Sequence, residues 1–121
     1  MKLIATDMDG TLLRSDRTIS AYTLDVLRRA HRAGAEIVVA TGRMNAGISQ
    51  YLCYMPFCRY TINTNGAEIY DCKIGEVIYS HPIEYKMALA IAQYAQKNNI
   101  SLSNISNNSF TVIKLPLDLL I

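Results

Sequence analysis

Apolar residues in this chain fall into short continuous runs and helix-spaced stripes, and together they predict alternating strands and helices. Leu3, Ile4 and Ala5 form a first short strand that runs straight into Asp7-Met8-Asp9-Gly10-Thr11. Tyr22, Val26, Leu27 and Ala30 recur at helical spacing, with Ser20 placed to cap and Gly34 to stop, so a helix is expected over Ala21–Ala33. Ala35–Ala40 is a second strand, and the resulting βαβ unit is expected to be parallel and right-handed, with both strand ends on one sheet edge. A second helix over Asn45–Tyr54 and a strand over Tyr60–Asn63 follow. Asn65-Gly66 marks a turn before a hairpin of Ala67–Tyr70 with Val77–Ser80. Beyond Pro82, Met87, Ile91, Tyr94 and Ala95 share one face of a helix over Glu84–Asn98. Ile100–Leu102 and Phe110–Leu115 are expected as strands around a polar turn, Ser103–Ser109. The fold class is α/β, with a Rossmann-like parallel sheet at its core.

Two carboxylates one residue apart at a strand end, Asp7 and Asp9, would repel each other if both were ionised in a cleft. A hard divalent cation relieves that repulsion, and Mg²⁺ takes few protein oxygens when a phosphate supplies other ligands. A solvated Asp-x-Asp-Gly turn is the competing reading. An EF-hand is excluded, because Thr11, Leu12 and Thr18 stand at its fifth, sixth and twelfth positions. Thr41-Gly42-Arg43 ends the second strand, so the βαβ geometry lets Asp7, Asp9 and Thr41 share one crevice.

The 121 residues are half apolar, enough for one core and short of two complete ones. Lys and Arg number 12 against 10 Asp and Glu. Arg28, Arg29, His31 and Arg32 cluster where a helix C-terminus favours cations, so no nucleic-acid partner is expected. Cys53, Cys58 and Cys72 lack Cys-x-x-Cys spacing and are expected to be reduced thiols. The first residues are unlike a signal sequence, and no apolar run approaches the roughly 18 residues of a membrane span. A cytoplasmic protein without a membrane partner is expected.

Asp7-Met-Asp-Gly-Thr-Leu-Leu and Thr41-Gly42-Arg43, each at a strand end, resemble the first two motifs of the haloacid dehalogenase superfamily of phosphatases. The chain is most similar to its Cof-like sugar-phosphate phosphatase group, and Asn65-Gly66-Ala67 with Ile69-Tyr70-Asp71 resembles the approach to that group's cap. The resemblance implies residues 1–81 as the N-terminal part of the α/β core and 82–121 as the start of an α+β cap. It implies hydrolysis of small phosphorylated metabolites, with Asp7 as nucleophile and Mg²⁺ ligand and Asp9 as general acid and base, held protonated beside the metal. Asp9 would add a metal contact through its backbone carbonyl. Thr41 and Gly42 would bind phosphoryl oxygens. Arg43 is read as a surface or supporting residue rather than a catalyst. Asn65 is read either as a substrate contact or as part of a bare Asn-Gly turn.

The lysine of the third motif and the acids of the fourth, which complete the family's Mg²⁺ site, have no match here, so this chain alone is expected to be catalytically feeble. Apolar sheet surface left open implies self-association or cover by a further C-terminal part, and the closing run Leu115–Ile121 is expected to be buried against something. The alternatives are a phosphomutase using the same Asp7 and a non-catalytic phosphoryl-binding or regulatory fragment.

Overall fold

The computed structural model describes residues 2–106 and 109–113. It divides into two compact units, Met1–His81 and Pro82–Ile121. In the first, β1 (Lys2–Thr6), β2 (Ala35–Ala40), β3 (Cys58–Asn63), β4 (Glu68–Asp71) and β5 (Glu76–Ser80) form one sheet in that spatial order. β1, β2 and β3 run parallel, β4 pairs antiparallel with β3, and β5 antiparallel with β4. The expected α/β class and its parallel core are therefore found.

Ser20 caps helix α1 (Ala21–Arg32) by accepting the Thr23 amide at 3.0 Å, and Arg29, His31 and Arg32 stand in its last turn, where cations suit the helix dipole. Gly34, at φ +90°, makes the turn into β2. Ile37 and Val39 project from β2 onto the same buried cluster as Leu27 of α1 and Ile48, Tyr51 and Met55. This one-sided core anchors everything on the carboxyl edge of the sheet.

The continuous helix expected over Asn45–Tyr54 does not form. A tight turn at Asn45–Gly47 is followed by a short helix α2 (Ser49–Leu52), with Ile48 between them at φ −117°. Gly47 and β-branched Ile48 are poor helix residues, and burying Ile48 completely decides the local path. β1 and β5 are the sheet's edges, and Leu3 (58 % exposed), Val77, Ile78 and Tyr79 face solvent on them.

In the second unit, α3 (Tyr85–Lys97) matches the expected helix to within a residue at each end. β6 (Leu102–Ser106) and β7 (Ser109–Ile113) form a hairpin with Ser106 opposite Ser109. The polar stretch expected as a turn is thus largely strand, because the ladder pairs backbone groups whatever the side chains are. Leu115–Ile121 lies outside the described residues. No helix among the described residues is long and apolar enough to cross a membrane.

Asp71 closes β4 by accepting both Arg59 Nε (3.1 Å) and Nη2 (2.9 Å) and the Lys73 amide (2.9 Å). The Arg59 guanidinium first, then the Lys73 amide, hold its carboxyl below the usual range. A carboxyl depressed in the folded state stabilises the fold above its unfolded pKa and loses that contribution as pH falls through the folded value. The urea midpoint is therefore expected to stay level down to about pH 4 and drop below it, less steeply in Asp71→Asn. An unchanged acid limb in that variant would show that the pair does not contribute.

Candidate active site

Asp7 follows β1 in extended conformation (φ −73°, ψ 162°), and the chain then folds back on itself over Met8–Leu12. The Asp7 carbonyl accepts the Leu12 amide at 3.2 Å, the Met8 carbonyl accepts the Leu13 amide at 2.8 Å, and Gly10 takes φ +73°. Met8 and Leu12 are buried beneath this turn, so both carboxylates are left facing outward. The local sequence accounts for the arrangement: apolar residues at 8, 12 and 13 pin the loop, and glycine permits its reversal.

Thr41, buried, ends β2, with its amide donating to the Ile62 carbonyl at 2.8 Å and its hydroxyl accepting the Arg43 amide at 3.2 Å. The turn after β3 is tied to this loop. The Thr64 amide donates to Arg43 O at 3.0 Å, and the Asn65 amide donates to Thr41 O at 3.2 Å. Thr64 (φ +52°) and Asn65 (φ +55°) are both left-handed, which is costly for a β-branched threonine and is held by those bonds. The Asn65 side chain rests against Gly42, where a Cβ would lie 2.9 Å from Asn65 Oδ1.

Asp7, Thr41, Gly42, Asn65 and Gly66 line one open cavity of about 380 Å³. Four of the residues singled out from sequence therefore meet, from three separate strand ends. Asp9 stands apart from that lining and faces Arg43 instead. Arg43 Nε donates to Asp9 Oδ2 at 2.8 Å and Nη2 to Oδ1 at 2.5 Å, while Nη1 donates to the Gly47 carbonyl at 3.1 Å. The guanidinium also lies over the Tyr51 ring at 5.6 Å.

This pair bears on two expectations. Arg43, read as a surface or supporting residue, contacts the Asp9 carboxylate directly. Asp9, expected as an acid held protonated, is instead held below the usual carboxylate range, first by the Arg43 hydrogen bonds. A signal for this contact was present: Thr-Gly-Arg ends a strand parallel to β1, and Thr6 pairs with Val39, so position 43 comes close to position 9.

Among the described residues, no group of three or more His, Cys, Asp or Glu could hold a metal ion. Asp7 and Asp9 offer only oxygen donors, which suit a hard cation. With the Asp9 carboxylate taken by Arg43, the side chain open to such an ion is that of Asp7. Cys53, Cys58 and Cys72 are all free thiols, and burial pushes that of Cys58 up to about 11.

A sequence profile of the haloacid dehalogenase-like hydrolases matches residues 4–116. The chain is 36% identical over 99 residues to the phosphatase YwpJ of Bacillus subtilis (strain 168), covering 82% of this chain and 34% of that one. A haloacid dehalogenase-like hydrolase from B. subtilis superposes with a TM-score of 0.83 at 32% identity, over 99% of this chain and 42% of its own. The haloacid dehalogenase subclass IIB sugar phosphatase BT4131 does so with a TM-score of 0.76 at 28% identity, over 93% and 44%. The chain covers 34% and 36% of two of the curated relatives it matches, and under half of the others compared.

Proposed function

The chain belongs to the haloacid dehalogenase-like hydrolases, and on that premise we propose that it carries the nucleophile-bearing part of a phosphatase acting on small phosphorylated metabolites, sugar phosphates among them. The observation that supports this most is the single cavity in which Asp7 faces Thr41 and Gly42. A carboxylate there can attack phosphorus directly, breaking the P–O ester bond and forming an aspartyl-phosphate. The Thr41 hydroxyl and the Gly42 amide are the donors available to the phosphoryl oxygens as they gather charge. Asp7 would hold Mg²⁺, whose chemistry would be to offset negative charge on the phosphoryl group.

Asp9 is the proton carrier in this reading. Ionised against Arg43, it is ready to take a proton from the water that hydrolyses the aspartyl-phosphate. To protonate the leaving alkoxide it must first bind a proton, which the same pair opposes. Residues 82–121 are proposed as the start of a cap, and substrate choice is assigned to that cap. The cytoplasm, where Cys53, Cys58 and Cys72 stay reduced, is the proposed compartment.

The test is phosphoryl capture. Incubated with acetyl phosphate and Mg²⁺, the chain is expected to gain one hydroxylamine-labile phosphoryl group, located at Asp7 by peptide mass spectrometry. A label on another residue, or none at all, would overturn the assignment.

A further inference from the structure

A second cavity, of about 680 Å³, opens on the face that carries α1 and α2 and shares no lining residue with the one at Asp7. Ile19 and Leu24 form an aliphatic wall, Tyr51 and Tyr54 an aromatic one, and Arg17 and Gln50 supply polar groups. Its volume falls in the range of small-molecule sites, which pair a mainly apolar lining with a few placed polar groups. Tyr54 is 59 % exposed, so one ring wall is already open to a ligand.

Arg17, like Arg14, Arg28 and Arg32, forms no ion pair among the described residues, though its charge reaches the Asp9 carboxylate. The turn that carries it is well made. The Arg14 amide donates to Thr18 O and the Arg17 amide to Arg14 O, both at 2.9 Å, and Asp16 accepts the Thr18 amide and hydroxyl. An exposed cation on a backbone-tied turn, beside two tyrosines and an aliphatic wall, suits a flat ring bearing one negative charge.

We propose that this cavity binds a planar aromatic anion as an effector, with the ring against Tyr51 and Tyr54 and the charge on Arg17. The position has a consequence for the candidate active site, and this consequence rests on the phosphatase reading. Tyr51 lies under the guanidinium that holds Asp9, so an occupant pressed against that ring acts on the partner of the proposed proton carrier. Binding itself does not depend on that reading.

Benzoate is the probe, added to ¹⁵N-labelled chain and followed by amide chemical shifts. Saturable shifts are expected at Thr18, Ala21, Leu24 and Gln50, with weaker binding of neutral benzamide and of non-aromatic cyclohexanecarboxylate. Arg17→Gln should weaken benzoate about tenfold, the value of one charged hydrogen bond, with the remaining spectrum unchanged. Tyr54→Ala, at an exposed position, should weaken it without touching the charge. Absence of saturable shifts, equal binding of benzamide, or undiminished binding by Arg17→Gln would overturn the proposal. Shifts centred on Asp7, Thr41 and Gly42 would assign the ring to a substrate's organic half and overturn the effector site.

Discussion

Asp7→Asn is expected to remove phosphoryl capture and to lower any phosphate-ester hydrolysis by about a thousandfold or more, the scale seen when a covalent nucleophile is lost. The amide keeps the shape of the side chain but cannot attack phosphorus, and it weakens the seat for a cation. Asp7 is exposed and no hydrogen bond within the described residues depends on its carboxylate, so the fold should be unaffected and circular dichroism should match the parent. Asp9→Asn is the informative companion. On the proposed roles it leaves the nucleophile in place and removes the base, so the label should still form but persist, with turnover lower by about 10²–10⁴. If Asp7→Asn still became labelled, or if both variants lost labelling equally, the two roles would have to be redrawn.

The second large effect is on stability. Ile37→Ala is expected to cost about 2–5 kcal/mol, read as a fall in the urea midpoint, because Ile37 is 0 % exposed at the centre of β2 and touches the cluster that joins α1 and the 45–55 segment to the sheet. Ile4→Ala is the control. Ile4 pairs with Ile37 in register but sits 38 % exposed on an edge strand, so less area returns to water and less of a cavity forms. Its cost should stay near 1 kcal/mol, in keeping with partial burial. Equal losses in the two variants would mean that Ile4 on the edge strand is packed as deeply as Ile37. Against a typical total of about 5–15 kcal/mol, the Ile37 loss alone would remove a substantial share of the stability.

Particular residues show why some of this was legible from sequence and some was not. β2 could be placed to the residue because Ala35–Ala40 is a near-continuous apolar run between Gly34 and Thr41-Gly42, local signals that no distant contact has to supply. α1 could be placed because Ser20 and Gly34 punctuate it. The 45–55 segment departs from the expected helix because Gly47 and Ile48 suit one poorly, and its path is settled by burying Ile48, Tyr51 and Met55 against β2 and β3. At the candidate site, Asp7, Thr41 and Gly42 announce themselves as strand-end residues with oxygen or amide groups. The Arg43–Asp9 pair is different. It spans 34 positions and depends on which way a long flexible side chain turns, and that is decided by the Gly47 carbonyl and the Tyr51 ring, both part of that same segment.

β1 carries the candidate nucleophile, yet among the described residues it is hydrogen-bonded along one side only, to β2. Edge strands open locally at less cost than central ones, and each opening would carry Asp7 away from Thr41 and Gly42 together with the strand. The precision of the site is therefore a population: the fraction of time in which the β1–β2 ladder is closed. Whatever closes the other side of β1 would raise that fraction without touching Asp7, so strand pairing there would act on reactivity through geometry alone.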